Sequence, residues 1–115
     1  MENILDKKLF EEICGIKAYG RITLKDDCIY YNYGFKFINF SSFILQCKEW
    51  ALSFGYILKS WDVGCEIIPY NIIIKSNTEL NSILKACVLI KKINFLLSDT
   101  PSFGLPMEFV LDKIK

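Results

Sequence analysis

Between Phe43 and Ser76 the apolar pattern changes period, and that change limits the possible folds more than any other feature of the chain. Phe43, Cys47, Trp50 and Phe54 are spaced four, three and four residues apart, so they share one helical face, which Ile44 and Ala51 widen. Ser41 and Ser42 stand where a hydroxyl can cap free amides. Gly55 stands where a helix stops in a left-handed conformation that glycine adopts cheaply. The alternative is one helix running on through Ile57 to Trp61, which would hold a glycine at a cost of about 1 kcal/mol against alanine. The stop is the favoured reading.

After Gly55 the period is two. Tyr56, Leu58 and Ser60 alternate with Ile57, Lys59 and Trp61, as in a strand, and Asp62-Val63-Gly64 supplies a turn. Cys65 to Lys75 is rich in isoleucine, which suits a pleated, buried surface. Pro69 has no amide hydrogen, so this strand breaks or bulges there, or lies at an edge. If the strand is buried throughout, aspartate at Ile73 should unfold the domain. Ser76 and Glu79 form a capping box for a helix carrying Leu80, Ile83, Leu84, Cys87 and Ile90 on one face.

Upstream, Leu5, Leu9, Phe10, Ile13 and Cys14 recur at helical spacing and predict a helix over residues 3–18. Arg21 to Leu24 reads as a short strand and Lys25-Asp26-Asp27 as a turn. From Cys28 to Phe37 an aromatic ribbon follows, either one long strand or two strands turning near Gly34. Downstream, Pro101, Gly104 and Pro106 break structure, and Met107, Val110, Leu111 and Ile114 return to helical spacing. Nine residues are too few for a helix stable alone in water, so this segment is expected to dock, on its own core or in trans. The expectation is one domain over residues 1–115, with 98–115 as a Pro/Gly-containing extension. Its class is α+β: a small antiparallel sheet built from two hairpins, with helices packed on one face. The order is α-β-β-α-β-β-α, then a short C-terminal helix. No internal repeat is evident.

The chain contains no histidine, which removes the commonest general base and the commonest metal ligand. The acidic pairs Glu11-Glu12 and Asp26-Asp27 fit a helix surface and a turn better than a site. No phosphate-binding glycine motif is present. No enzyme, cofactor or metal is therefore expected. Fourteen basic and 13 acidic residues leave a net charge of +1, too little for general attraction to phosphate backbones or acidic lipids. The five cysteines form no CxxC pair and read as small buried hydrophobes in a reducing compartment. The N-terminus has no apolar signal region, and no uncharged run approaches the roughly 18 residues of a membrane span. A cytoplasmic protein is expected.

Two resemblances are present. Tyr33-Gly34-Phe35 partly resembles the RNA-recognition-motif signature, whose strand aromatics stack on bases. Tyr31-Asn32 replaces its basic-glycine pair, and Lys36 stands where valine is usual. Trp50-Ala51, Gly55-Tyr56 and Ala86-Cys87, spread over Phe43 to Lys92, resemble small phage- and mobile-element-encoded αββα proteins of unknown function. That resemblance implies an accessory or inhibitory binding role with no catalytic residues. The candidate contact residues are Tyr30, Tyr33 and Lys36 on the ribbon, with Met107, Val110, Leu111 and Ile114 in the extension. The expected partner is another protein, with a second copy of the chain as one candidate. Nucleic acid is the alternative partner, and no membrane is expected.

Overall fold

The structure is a computed structural model that describes residues 5–99. The extension segment with Met107, Val110, Leu111 and Ile114 lies outside the described residues. Three helices and six strands are found among them: α1 (Lys7–Cys14), β1 (Thr23–Lys25), β2 (Cys28–Tyr31), β3 (Lys36–Asn39), α2 (Phe40–Ser53), β4 (Ile57–Trp61), β5 (Gly64–Ile68), β6 (Ile72–Lys75) and α3 (Glu79–Asp99). The class is α+β as expected. The strands, however, form two three-stranded antiparallel sheets, β1-β2-β3 and β4-β5-β6, so the order is α-β-β-β-α-β-β-β-α. Each expected hairpin gains a third strand: the ribbon takes the second of its two readings and turns beside Gly34, and the isoleucine run breaks at Pro69, so each stretch supplies two strands. The ribbon turns at Asn32–Phe35, and the isoleucine strand breaks at Pro69–Asn71, where the Ile68–Pro69 bond is cis.

Local chemistry sets the boundaries. α1 is shorter than expected because Gly15, at φ 66°, stops it and donates its N–H to the Glu11 carbonyl (2.9 Å). Its N-cap is Asp6, whose carboxylate accepts from the Leu9 N–H at 2.7 Å. α2 begins before the serines expected to cap it: Asn39 is the cap, accepting from the Ser42 N–H at 2.8 Å. The expected stop is present, with Gly55 at φ 89°. The Ser76–Glu79 capping box does not form. Ser76 donates its N–H to the Val63 carbonyl (3.0 Å), which holds it to the β4–β5 turn. The cap shifts to Thr78, whose hydroxyl accepts from the Asn81 N–H at 3.1 Å, while the Glu79 carboxylate accepts from the Ser60 hydroxyl.

The two β-β-β-α units repeat with an offset of 36 residues (62 − 26, 67 − 31, 72 − 36, 83 − 47). Two residues join β1 to β2 (Asp26-Asp27) and β4 to β5 (Asp62-Val63). Four residues separate the last paired positions of the next two strands, Tyr31↔Lys36 and Ile67↔Ile72. Cys47, Trp50 and Ala51 of α2 are buried, as are their counterparts Ile83, Ala86 and Cys87 of α3.

The core lies between the helices and the inner sheet faces. Phe10 ties three elements together: it is fully buried, stacks on Phe43 of α2 (5.6 Å between centroids, 19° between planes) and meets Tyr31 of β2 at 5.0 Å. Ile29 and Ile67 line the inner faces. Ser82 is the one polar side chain found fully buried among the described residues, and its hydroxyl donates to the Thr78 carbonyl at 2.9 Å. Ile73 is 57% exposed, so the isoleucine strand is not buried throughout and the unfolding expected of Ile73→Asp is overturned.

The five cysteines are free, and Cys47, Cys65 and Cys87 are buried. A hydrogen bond with Cys87, then burial, drives the Cys47 thiol far above its ordinary range. Burial pushes Cys65 up to about 12 and Cys14 up to about 11. Unfolded thiols ionise near 9.0, so between that pH and 12 the unfolded state binds fewer protons than the native one. This contribution to stability is complete below pH 9 and is lost as pH rises. The melting temperature should therefore fall between pH 8 and pH 10.5, and fall less in Cys65→Ala. At pH 8 a thiol reagent should reach Cys47, Cys65 and Cys87 only on unfolding; fast labelling of all three in the native protein would contradict the packing.

Candidate binding surface

Four exposed aromatics, Tyr19, Tyr33, Phe35 and Phe37, lie at one end of the β1-β2-β3 sheet, while Phe54, Trp61 and Phe95 are exposed on other elements. The connection between β2 and β3 begins with two non-glycine residues in the left-handed region, Asn32 at φ 51° and Tyr33 at φ 60°. That conformation is uncommon for a bulky residue and is found most often at turns and sites. Gly34 donates its N–H to the Tyr31 carbonyl and Phe35 donates its N–H to the Asn32 carbonyl, each at 3.1 Å. The Asn32 side chain accepts the Tyr19 N–H at 2.8 Å. The Tyr33 ring lies against Gly20: a Cβ built there would come within 2.8 Å of it, so the close approach needs glycine. The loop Gly15–Gly20 is held in turn by Glu11, whose carboxylate accepts from the Ala18 N–H at 2.8 Å.

These bonds join the 15–21 loop to the hairpin tip. The result is a cluster of exposed rings: Tyr19 from the loop, Tyr33 (75% exposed) and Phe35 (88%) from the turn, and Phe37 (63%) from β3. The Lys17 ammonium sits 5.7 Å from the Tyr19 ring centroid.

Of the residues singled out in the ribbon, Tyr33 is at the tip. Tyr30 lies half-buried opposite Phe37, with ring centroids 5.7 Å apart. Lys36 pairs with Tyr31, so it belongs to the other sheet face, although it is exposed beside the tip. Period-two reading missed this because it counted residues through the turn. The four-residue connection places Phe37 on the Tyr30 face and separates it from Tyr31. Sequence reasoning also missed Phe35, Phe37, Tyr19 and Lys17 as members of one surface. The left-handed preference of Asn-Tyr-Gly was the available signal for the first two; the loop contacts had none.

A separate cleft of about 780 Å³ opens between β1 and the N-termini of α2 and α3. Ile22, Leu24, Ile44, Leu80 and Leu84 give it apolar walls, and Arg21, Asp27 and Glu79 add charge. Both helix starts are already capped, by Asn39 and Thr78. Among the described residues no group of three or more histidine, cysteine or acidic side chains could hold a metal ion, and no helix is long and apolar enough to cross a membrane. Glu12 pairs with Lys91 at 3.4 Å, Glu11 accepts from the Ala18 N–H, and Asp26-Asp27 forms the β1–β2 turn. No protein-family model, no curated protein and no solved structure matches the chain.

Proposed function

We propose that this is a non-enzymatic, cytoplasmic binding protein that acts by contact with another protein through the hairpin tip. The observation that carries the reading is the exposure of Tyr33, Phe35 and Phe37 on one ordered hairpin. Exposed aromatics on a fixed backbone give contact area at low entropic cost, and they are the residues that dominate binding energy at interfaces. The free thiols fit a reducing compartment. An accessory, inhibitory or immunity role, as the phage-type resemblance implies, is compatible with such a surface.

The triple variant Tyr33→Ser/Phe35→Ser/Phe37→Ser should keep the circular dichroism spectrum of the wild type. A hot-spot loss of about 2 kcal/mol at a single ring is about thirtyfold in affinity, so the triple variant should lose at least that much. The check is quantitative affinity purification from cells that carry the gene. A partner kept equally by both proteins places the contact elsewhere.

A nucleic-acid-binding regulator is the second reading, favoured by the Lys17 ammonium beside the Tyr19 ring. It predicts binding of single-stranded oligonucleotide that the triple variant loses.

A further inference from the structure

We propose that the hairpin tip takes an acidic partner: a protein segment that carries carboxylates beside apolar side chains. This rests on the binding-protein reading and names the chemistry of its partner. Two segments build the tip, Gly15–Gly20 and Asn32–Phe37, and their charged residues are Lys17 and Lys36, both basic and both exposed; Arg21, next along the chain, lines the separate cleft with Asp27 and Glu79. The chain as a whole is nearly neutral at +1, so this is a local concentration of one sign. The carboxylate bonded to these segments is Glu11, half-buried and occupied by the Ala18 N–H. Asp26 and Asp27 sit at the opposite end of the sheet, beyond the length of β2. At physiological salt, charges more than about 8 Å away are largely screened, so the cations beside the rings set the field a partner meets.

The arrangement suits a carboxylate-bearing segment. Its apolar side chains cover Tyr33 and Phe35 at the tip, and its carboxylates meet Lys17 beside the Tyr19 ring and Lys36, which leaves β3 on the face opposite Phe37; rim charges of this kind govern encounter rate and specificity. It suits a nucleic-acid strand less, because a strand is tracked by a row of cations along a groove. Here two lysines stand one on each segment.

The test uses the full chain and fluorescein-labelled probes read by fluorescence anisotropy: a hexapeptide alternating glutamate with phenylalanine and leucine, the same peptide with lysine for glutamate, and a 15-nucleotide oligo(dT). The glutamate peptide should bind and the lysine peptide should not. Raising salt from 50 to 200 mM should weaken the complex, and Lys17→Glu/Lys36→Glu should weaken it by about tenfold or more with an unchanged melting curve. Failure of the glutamate peptide to bind, equal binding of the lysine peptide, indifference to the charge reversal, or tighter binding of oligo(dT) would each overturn the proposal. A partner held through Tyr33, Phe35 and Phe37 on a neutral or basic surface would overturn it too, while leaving the binding-protein reading intact. Capture that does not depend on the three rings would remove that reading instead.

Discussion

Ile67→Asp should leave the protein unfolded at room temperature, whereas Ile73→Asp should melt within a few degrees of wild type. The two isoleucines sit on neighbouring strands of one sheet, but Ile67 is fully buried and Ile73 is 57% exposed. The register shows why. Ile73 pairs with Glu66, and Ile67 pairs with Ile72 one position along the ladder, so the two face opposite ways. A buried carboxylate without a partner costs several kcal/mol, a large share of the roughly 5–15 kcal/mol that holds a domain together. At Ile73 the new carboxylate stays in water directly opposite Glu66, a like charge that adds a small repulsion, with Lys59 one strand further on the same face, so the change costs about 1 kcal/mol. Thermal melts by circular dichroism separate the two. An equal loss in both variants would mean that the β4-β5-β6 sheet is covered on both faces.

Phe10→Ala should cost about 3–5 kcal/mol, the usual cost of removing a fully buried phenylalanine. The upper end is expected because the ring touches three elements. Loss of its contacts with Phe43 and Tyr31 loosens α1 from α2 and from the first sheet together. Phe10→Leu keeps most of the volume and should lose less than half as much. α1 is only eight residues long and is too short to persist without its docking face. Amide exchange at Leu9 to Ile13 should therefore accelerate more than exchange in β4 to β6. Uniform acceleration across the chain would show that α1 is not a separable unit.

How much of this was legible in the residues differs by element. The α2 face from Phe43 to Ala51, the Gly55 stop and the buried face of α3 follow from spacing and from one glycine, because strong amphipathic periods are local signals; Phe54, expected on the same face, is the C-cap and is 47% exposed. The caps were misplaced by two residues, since Ser76 is committed to the Val63 carbonyl, a bond between distant positions. The turn near Gly34 and the break at Pro69 were legible, but not that the residues after each form a third strand, because that depends on pairing across the turn. The structural repeat was hidden more deeply. Between Tyr19–Phe54 and Gly55–Ile90 only Asp26/Asp62 and Ile38/Ile74 are identical, so the repeat exists in turn lengths and register but not in residue identity. At the candidate surface, Tyr33 was legible as an aromatic next to a glycine. The union of Tyr19 and Lys17 with the hairpin tip was not, because it depends on the Asn32 side chain reaching the Tyr19 amide.

The central claim is that the hairpin tip is the contact surface, and site-specific photo-cross-linking in cells that carry the gene tests it most directly. A benzophenone side chain replaces Phe35 in one protein and Ile73 in another. Both positions are exposed and apolar, and they lie on different sheets. The tip reading predicts one discrete cross-linked protein from position 35, abolished by Lys17→Glu/Lys36→Glu, and none from position 73. A discrete product from position 73 with none from position 35 would contradict it.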